Sequence, residues 1–84
     1  MSPPGQPRNL LAREISDFVT GMDGAGNTLV VKTVTGLAQG VCKSIDQAGW
    51  EEVVGTIAGE NTIFVLCRST DALVELRGRI EAMR

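Results

Sequence analysis

Alternating and β-branched apolar residues predict four β-strands that fall into two pairs. The first pair is predicted at residues 14–22 and 28–34, and the second at residues 52–58 and 62–67. A glycine-rich turn, Asp23 to Asn27, separates the strands of the first pair, and Gly59-Glu60-Asn61 separates those of the second. Because glycine and asparagine suit tight turns, each pair is expected to form a β-hairpin.

Two other stretches repeat apolar residues at steps of three and four, the spacing of one helix face. The first helix is predicted at residues 36–48, with Thr35 as its N-cap and Gly49 as its end. The second is expected to begin after Ser69 and Thr70, which are good capping residues. The two apolar stripes consist of Leu37, Ala38, Val41, Cys42, Ile45 and Ala48, and of Leu73, Leu76, Ile80 and Met83.

The order ββαββα predicts an α+β fold, a two-layer sandwich with a four-stranded antiparallel-type sheet and two helices on one face. The runs LVV at residues 29–31 and IFVL at residues 63–66 are continuously apolar, which is typical of strands buried on both faces. Since little chain remains to cover the second face, we expect another subunit to do so. The pattern therefore predicts a homo-oligomer.

The length of 84 residues fits one domain. Residues 1–9 are rich in proline, glycine and polar side chains, which favours a flexible linker remnant or an added terminal segment. Residues 10–84 are expected to form the domain. A core of this size is thin, which again favours stabilisation by partner subunits.

The charge of −2 and the near absence of aromatic residues argue against binding of nucleic acid by this segment. No apolar run is long enough to indicate a membrane span or a secretory signal. The two cysteines lie in apolar runs and no histidine is present, so we expect buried, reduced thiols and no metal site. These features predict a cytoplasmic protein.

An enzyme is not expected. There is no histidine to act as a general base, and neither cysteine lies among basic residues. Asp46 and Glu60 alone supply neither a nucleophile nor oxyanion donors. The glycines of GMDGAGN have neither the spacing of a phosphate loop nor a helix after them.

The first helix carries polar residues that allow two interpretations. Gln39, Lys43 and Asp46 share one face, because they are spaced at four and three residues. They form either a solvated surface with a weak Lys43–Asp46 pair, or a polar ligand site with the turn residues Glu60 and Asn61. The second interpretation would suit a small zwitterion.

Two motifs resemble the C-terminal domain of the bacterial arginine repressors. One is TGLAQ at residues 35–39 followed by Asp46, and the other is GTIAGENTIFVLC at residues 55–67. The likeness extends from about Leu10 to Met83. It implies the ββαββα sandwich, trimers that stack into hexamers, and L-arginine bound between the trimers. It also implies that operator DNA is bound through an N-terminal winged helix-turn-helix outside this chain.

The resemblance assigns roles to individual residues. Gln39 and Asp46 match helix residues that contact the amino-acid end of the ligand, and Thr56 and Ala58 match backbone positions that line the pocket. Glu60 matches a residue that holds the guanidinium across the trimer interface. Asn61 matches a position that helps to bind the α-amino group of the ligand and contributes to the charge of the pocket.

The family usually has two aspartates where this chain has Glu60 and Asn61. Loss of one charge predicts a weaker arginine site, by about tenfold to a hundredfold. Two alternatives follow: an oligomerisation module with weakened or lost arginine binding, or a sensor of citrulline, ornithine or lysine. Lys43 is a candidate pocket cation that would replace the ligand's charge when the site is empty. No cofactor is expected other than L-arginine as effector.

Overall fold

The computed structural model describes residues 7–84, which form three helices and four strands. In chain order these are α1 (Pro7–Phe18), β1 (Val19–Ala25), β2 (Thr28–Thr33), α2 (Ala38–Ala48), β3 (Val53–Ala58), β4 (Thr62–Cys67) and α3 (Thr70–Met83). The strands make one sheet in the order β1-β2-β4-β3, and every neighbouring pair is antiparallel. The α+β class and the antiparallel sheet are therefore confirmed.

The first described element is a helix, so the strand predicted over residues 14–22 was wrong in its first half. The strand begins only at Val19. Leu11 and Ile15, four residues apart, are both buried in the core, and Phe18 packs against it about one turn later. This is the period of a helix face, and the short alternation that suggested a strand was coincidental.

Helix α1 adds a third helix to the layer that the sequence predicted to contain two. It begins at Pro7, within the segment expected to be a linker, and residues 1–6 of that segment lie outside the described residues. The Ser44 hydroxyl donates a hydrogen bond to the Glu14 carboxylate, which joins α2 to α1. Helix α1 therefore packs as part of the fold.

Helix α2 ends as predicted but begins later. Thr35 is not its N-cap: the helix starts at Ala38, and the capping position belongs to Leu37, which offers no side-chain hydrogen bond. Gly49 ends the helix in the left-handed conformation, with φ of 64°, and its N–H donates to the Asp46 carbonyl. Glycine adopts this conformation without the steric cost that a side chain would add.

Helix α3 follows the sequence prediction closely. The Ser69 hydroxyl accepts a hydrogen bond of 3.0 Å from the Ala72 N–H, as an N-cap does. Leu73, Leu76 and Ile80 are buried against the sheet, at steps of three and four. The stripe therefore fixes which face of α3 contacts the core.

The sheet packs one face against the helices and leaves the other exposed. Along β4 alternate side chains are buried, whereas Phe64 and Leu66 are 52% and 44% exposed. Val30 and Ile57 lie on either side of Phe64 in the strand register, and Ile57 is 69% exposed. We call Val30, Ile57, Phe64 and Leu66 the open sheet face. The continuous apolar runs thus place apolar side chains on both faces of the sheet, as expected.

Both cysteines are buried free thiols, as predicted. Cys67 lies in β4 beneath the helices, where burial raises the pKa of its thiol. Cys42 lies on α2 and is also part of the core cluster. The two thiols therefore behave as small apolar groups, although Cys42 also contacts the site described next.

Candidate functional site

Helix α2 presents three polar side chains on its exposed side. Gln39, Lys43 and Asp46 are exposed, whereas Val41 and Ile45 on the opposite side are buried. Steps of four and three residues keep the polar side chains on one stripe of the helix. The amphipathic pattern that buries α2 therefore also orients its polar groups toward the neighbouring strand β3.

A shallow groove of about 260 Å³ lies between α2 and β3. It brings together five of the residues singled out from the sequence, namely Gln39, Lys43, Asp46, Thr56 and Ala58. It is also lined by Cys42 and Ile57, which sequence reasoning had not placed in a site. The signal for Ile57 was its position between Thr56 and Ala58. No pattern in the sequence distinguished Cys42 from a core residue.

A chain of hydrogen bonds crosses the groove from α2 to β3 and back. The Cys42 thiol donates to the Thr56 hydroxyl, with Sγ and Oγ1 3.1 Å apart. The Thr56 hydroxyl in turn donates to Oδ1 of Asp46 at 2.5 Å. The carboxylate of Asp46 is thereby tied to β3, ten residues further along the chain.

The turn residues Glu60 and Asn61 do not line the groove. They connect β3 to β4 as predicted, and Gly59 N–H donates to the Thr62 carbonyl at 2.8 Å to close the turn. The Glu60 carbonyl accepts from Gly36 N–H, also at 2.8 Å, while the side chains of both turn residues are exposed. One copy of the chain thus carries the groove and the turn as separate surfaces.

The side chain of Asn61 belongs to a second hydrogen-bond chain. The Lys32 ammonium donates to the Thr62 hydroxyl at 3.0 Å, and that hydroxyl donates to Oδ1 of Asn61, also at 3.0 Å. An amide that accepts through its oxygen retains its NH₂ group for other partners. Asn61 therefore offers hydrogen-bond donors where the family pattern would place a carboxylate.

Lys43 does not pair with Asp46 within one chain. Among the side chains described for residues 10–84, the salt bridges join Arg79 to Glu52 and Arg84 to Glu81. Lys43 lines the groove with its side chain exposed. Its positive charge and the negative charge of Asp46 are therefore presented separately to whatever occupies the groove.

A charged clamp lies beyond the end of α2. The Arg79 guanidinium makes two hydrogen bonds to the Glu52 carboxylate, at 2.8 and 2.9 Å, and also lies 5.2 Å from the centre of the Trp50 ring. The hydrogen bonds from Arg79 lower the pKa of Glu52. Trp50 and Asp46 both line a small hollow of about 130 Å³, which makes Trp50 a nearby fluorescent probe of the site.

The ion pair between Arg79 and Glu52 predicts how the stability of the fold depends on pH. Because the folded state lowers the pKa of Glu52 below its ordinary value of 4.5, the stabilisation is present above that pH and is lost as the pH falls through the folded value. Urea unfolding should show Glu52→Gln to be less stable than the wild type at pH 7, with the difference shrinking below pH 4.5. The exposed neighbour Glu51 provides the control: Glu51→Gln should unfold like the wild type at pH 7. A Glu52→Gln deficit that does not change with pH would contradict this assignment.

A second depression, of about 340 Å³, borders the groove on the open sheet face. Its lining consists of Ile57, Ala58, Gly59, Thr62 and Phe64. Two of these residues, Ile57 and Ala58, also line the polar groove. The groove and the exposed apolar surface therefore share a border along β3, one of the two edge strands of the sheet.

Two other kinds of site are not found in the part of the chain that the structure describes. Within residues 7–84, no three histidine, cysteine, aspartate or glutamate side chains group together in a way that could hold a metal ion. None of the helices in the same range has both the length and the apolar character needed to span a membrane.

Comparisons with known proteins agree on one family. The family model for the arginine repressor C-terminal domain matches residues 15–82. Arginine repressors from Staphylococcus aureus strains JH9, Newman and N315 are each 43% identical to this chain over 74 residues. These alignments cover 88% of this chain and 49% of each relative, so the chain spans about half the length of the relatives it matches. The relatives are named repressors rather than enzymes, in agreement with the expectation from the sequence.

Proposed function

Because this chain belongs to the family of arginine repressor C-terminal domains, we propose that it binds L-arginine and joins copies of itself into a regulator of arginine metabolism. The observation that carries the proposal is the groove between α2 and β3, which gathers Gln39, Asp46, Thr56 and Ala58. An amide, a carboxylate and strand backbone groups can together hold the ammonium and carboxylate of an amino acid.

The ligand is proposed to bind between copies of the chain. The groove of one copy holds a single carboxylate, that of Asp46, and Glu60 is not part of its lining. In this arrangement, Asp46 accepts from the α-ammonium, while Glu60 of another copy accepts from the guanidinium. A carboxylate and a guanidinium can form two parallel hydrogen bonds, which favours arginine over amino acids with a single terminal donor.

The open sheet face is proposed to be the surface where copies meet. It is apolar and exposed in one copy, and it borders the groove through Ile57 and Ala58. Exposed apolar side chains that form a continuous patch are typical of protein–protein contacts. We assign the family's assembly, trimers paired into hexamers, to this chain, with operator DNA bound through an N-terminal domain outside it and a location in the cytoplasm.

Arginine binding and assembly should be coupled, because a ligand held by two copies favours the assembled state. Sedimentation velocity of the chain at micromolar concentration should show trimers and hexamers, and saturating L-arginine should shift the mixture toward hexamers. Calorimetry on the assembled protein should show binding in the micromolar to sub-millimolar range. D-arginine is the matched control for the stereospecific α-carbon contacts. Identical sedimentation with and without L-arginine would contradict the coupling.

A neutral ureido amino acid such as L-citrulline is a second candidate ligand, and Asn61 favours it. The Asn61 side chain accepts from Thr62 and keeps its NH₂ group as a donor, which suits a ureido oxygen better than a guanidinium. Competition between L-arginine and L-citrulline in the same calorimeter distinguishes the two. Displacement of bound L-arginine by an equal concentration of L-citrulline would favour the second candidate.

A further inference from the structure

The direction of the two hydrogen bonds in the groove follows from the chemistry of Cys42, Thr56 and Asp46. A carboxylate only accepts hydrogen bonds, so the contact of 2.5 Å between Thr56 and Asp46 uses the only proton of the Thr56 hydroxyl. With its proton committed, Oγ1 of Thr56 can only accept in its contact of 3.1 Å with Cys42. The thiol of Cys42 is therefore the donor in this contact.

We propose that Cys42 is a positioning residue of the ligand groove, acting on Asp46 through Thr56. The thiol holds the Thr56 hydroxyl in the rotamer that donates to Oδ1 of Asp46. Only Oδ1 is used in this contact, and Oδ2 makes no hydrogen bond to the side chains described for residues 10–84, so it remains for the cationic group of a ligand. The part of this inference that concerns the ligand rests on the proposed function, whereas the hydrogen-bond order does not.

The environment of the three side chains supports a positioning role. Cys42 is only 7% exposed, so packing in the core holds its side chain in place. The same side chain also lines the groove. Asp46 by contrast is exposed, and an exposed carboxylate has rotational freedom that must be lost when a ligand binds. Fixing that side chain before the ligand arrives raises affinity, because less entropy remains to be lost.

Substitutions of Cys42 distinguish a role as a hydrogen-bond donor from a role in apolar packing alone. Serine retains the hydrogen-bond donor but is smaller and more polar than cysteine, while alanine removes the donor. If the donor matters, Cys42→Ser should preserve the groove better than Cys42→Ala does. If only apolar packing matters, serine should be the worse replacement, because burying a polar hydroxyl costs free energy that burying the alanine methyl group does not.

The binding test uses calorimetry with L-arginine on the assembled chain. Cys42→Ala should weaken binding by about threefold to tenfold, the range for one neutral hydrogen bond, and Cys42→Ser should stay within about twofold of the wild type. Cys67→Ala removes the other buried thiol, which is absent from the groove lining, and is the matched control expected to bind like the wild type. A loss of affinity in Cys42→Ser that equals or exceeds the loss in Cys42→Ala would overturn the proposal.

A second measurement needs no ligand. In the Cys67→Ala background the only S–H infrared stretching band belongs to Cys42, and a donated hydrogen bond lowers its frequency. Replacing Thr56 by valine, which has similar shape and no acceptor, should raise that frequency. An unchanged frequency would overturn the assignment of Cys42 as the hydrogen-bond donor. A band that shifts in a protein that binds no L-arginine would support that assignment and count against the proposed function instead.

Discussion

Replacing Phe64 by aspartate is expected to dissociate the proposed assembly into single copies that remain folded. Phe64 lies at the centre of the open sheet face, between Val30 and Ile57, and is 52% exposed in one copy. An interface there would lose about 1.5–3 kcal/mol of apolar burial per side chain and would gain an unpaired buried charge. We expect the dissociation constant to rise by about a hundredfold or more, as measured by sedimentation equilibrium.

Val74 provides the matched control for this experiment. It lies on α3 and is 68% exposed, more than Phe64, but it belongs to the helical layer. Val74→Asp introduces the same charge at an exposed apolar position and should leave the assembly intact. Circular dichroism should show both variants folded, since exposed substitutions usually change stability by about 0.5 kcal/mol or less. Phe64→Asp that assembles as tightly as the wild type would exclude the open sheet face as the interface.

Replacing Asp46 by asparagine is expected to weaken L-arginine binding by about tenfold to a hundredfold. A charged hydrogen bond between a carboxylate and an ammonium contributes about 1–3 kcal/mol, and asparagine keeps the shape of the side chain while removing the charge. Asparagine can still accept from the Thr56 hydroxyl through its amide oxygen, so the contact between α2 and β3 is retained. The change therefore removes the charge and the second acceptor oxygen of Asp46 while keeping the contact with Thr56, and calorimetry measures the effect on L-arginine binding.

The control for Asp46→Asn is the same substitution at Asp17, an exposed residue of α1 that is absent from the groove lining. Asp17→Asn should bind L-arginine like the wild type, and it corrects for the change in net charge. Trp50 fluorescence gives an independent reading, because Trp50 and Asp46 line the same hollow. If both variants bind with the wild-type affinity, the ammonium is not held by Asp46.

Much of the fold could be predicted because its pattern is local. The three-and-four stripe of α3 and the capping hydroxyl of Ser69 lie within a few turns of each other, and the structure has both as expected. Helix α1 was missed for the same reason: read from residue 14 onward, the segment alternates like a strand. Only with Leu11 included does the spacing to Ile15 indicate a helix.

Part of the candidate site could be predicted in the same way. The period of a helix alone places Gln39, Lys43 and Asp46 on one stripe of α2. The period of a strand places Thr56 and Ala58, two residues apart, on the same face of β3. The family resemblance linked these two elements, and the groove between α2 and β3 contains all five residues. The expected ligand-binding roles of all five stay predictions, as do those of Glu60 and Asn61, which lie outside this groove.

The sequence by itself determined which chemical groups each element presents, since a side chain's face depends only on the period of its own helix or strand. Only the tertiary structure decided which of those groups meet. Thr56 donates to Asp46, and Cys42 donates to Thr56, because the packing of the whole core sets α2 against β3 at that distance. Such contacts depend on the combined shapes of many buried side chains, which no short stretch of sequence contains.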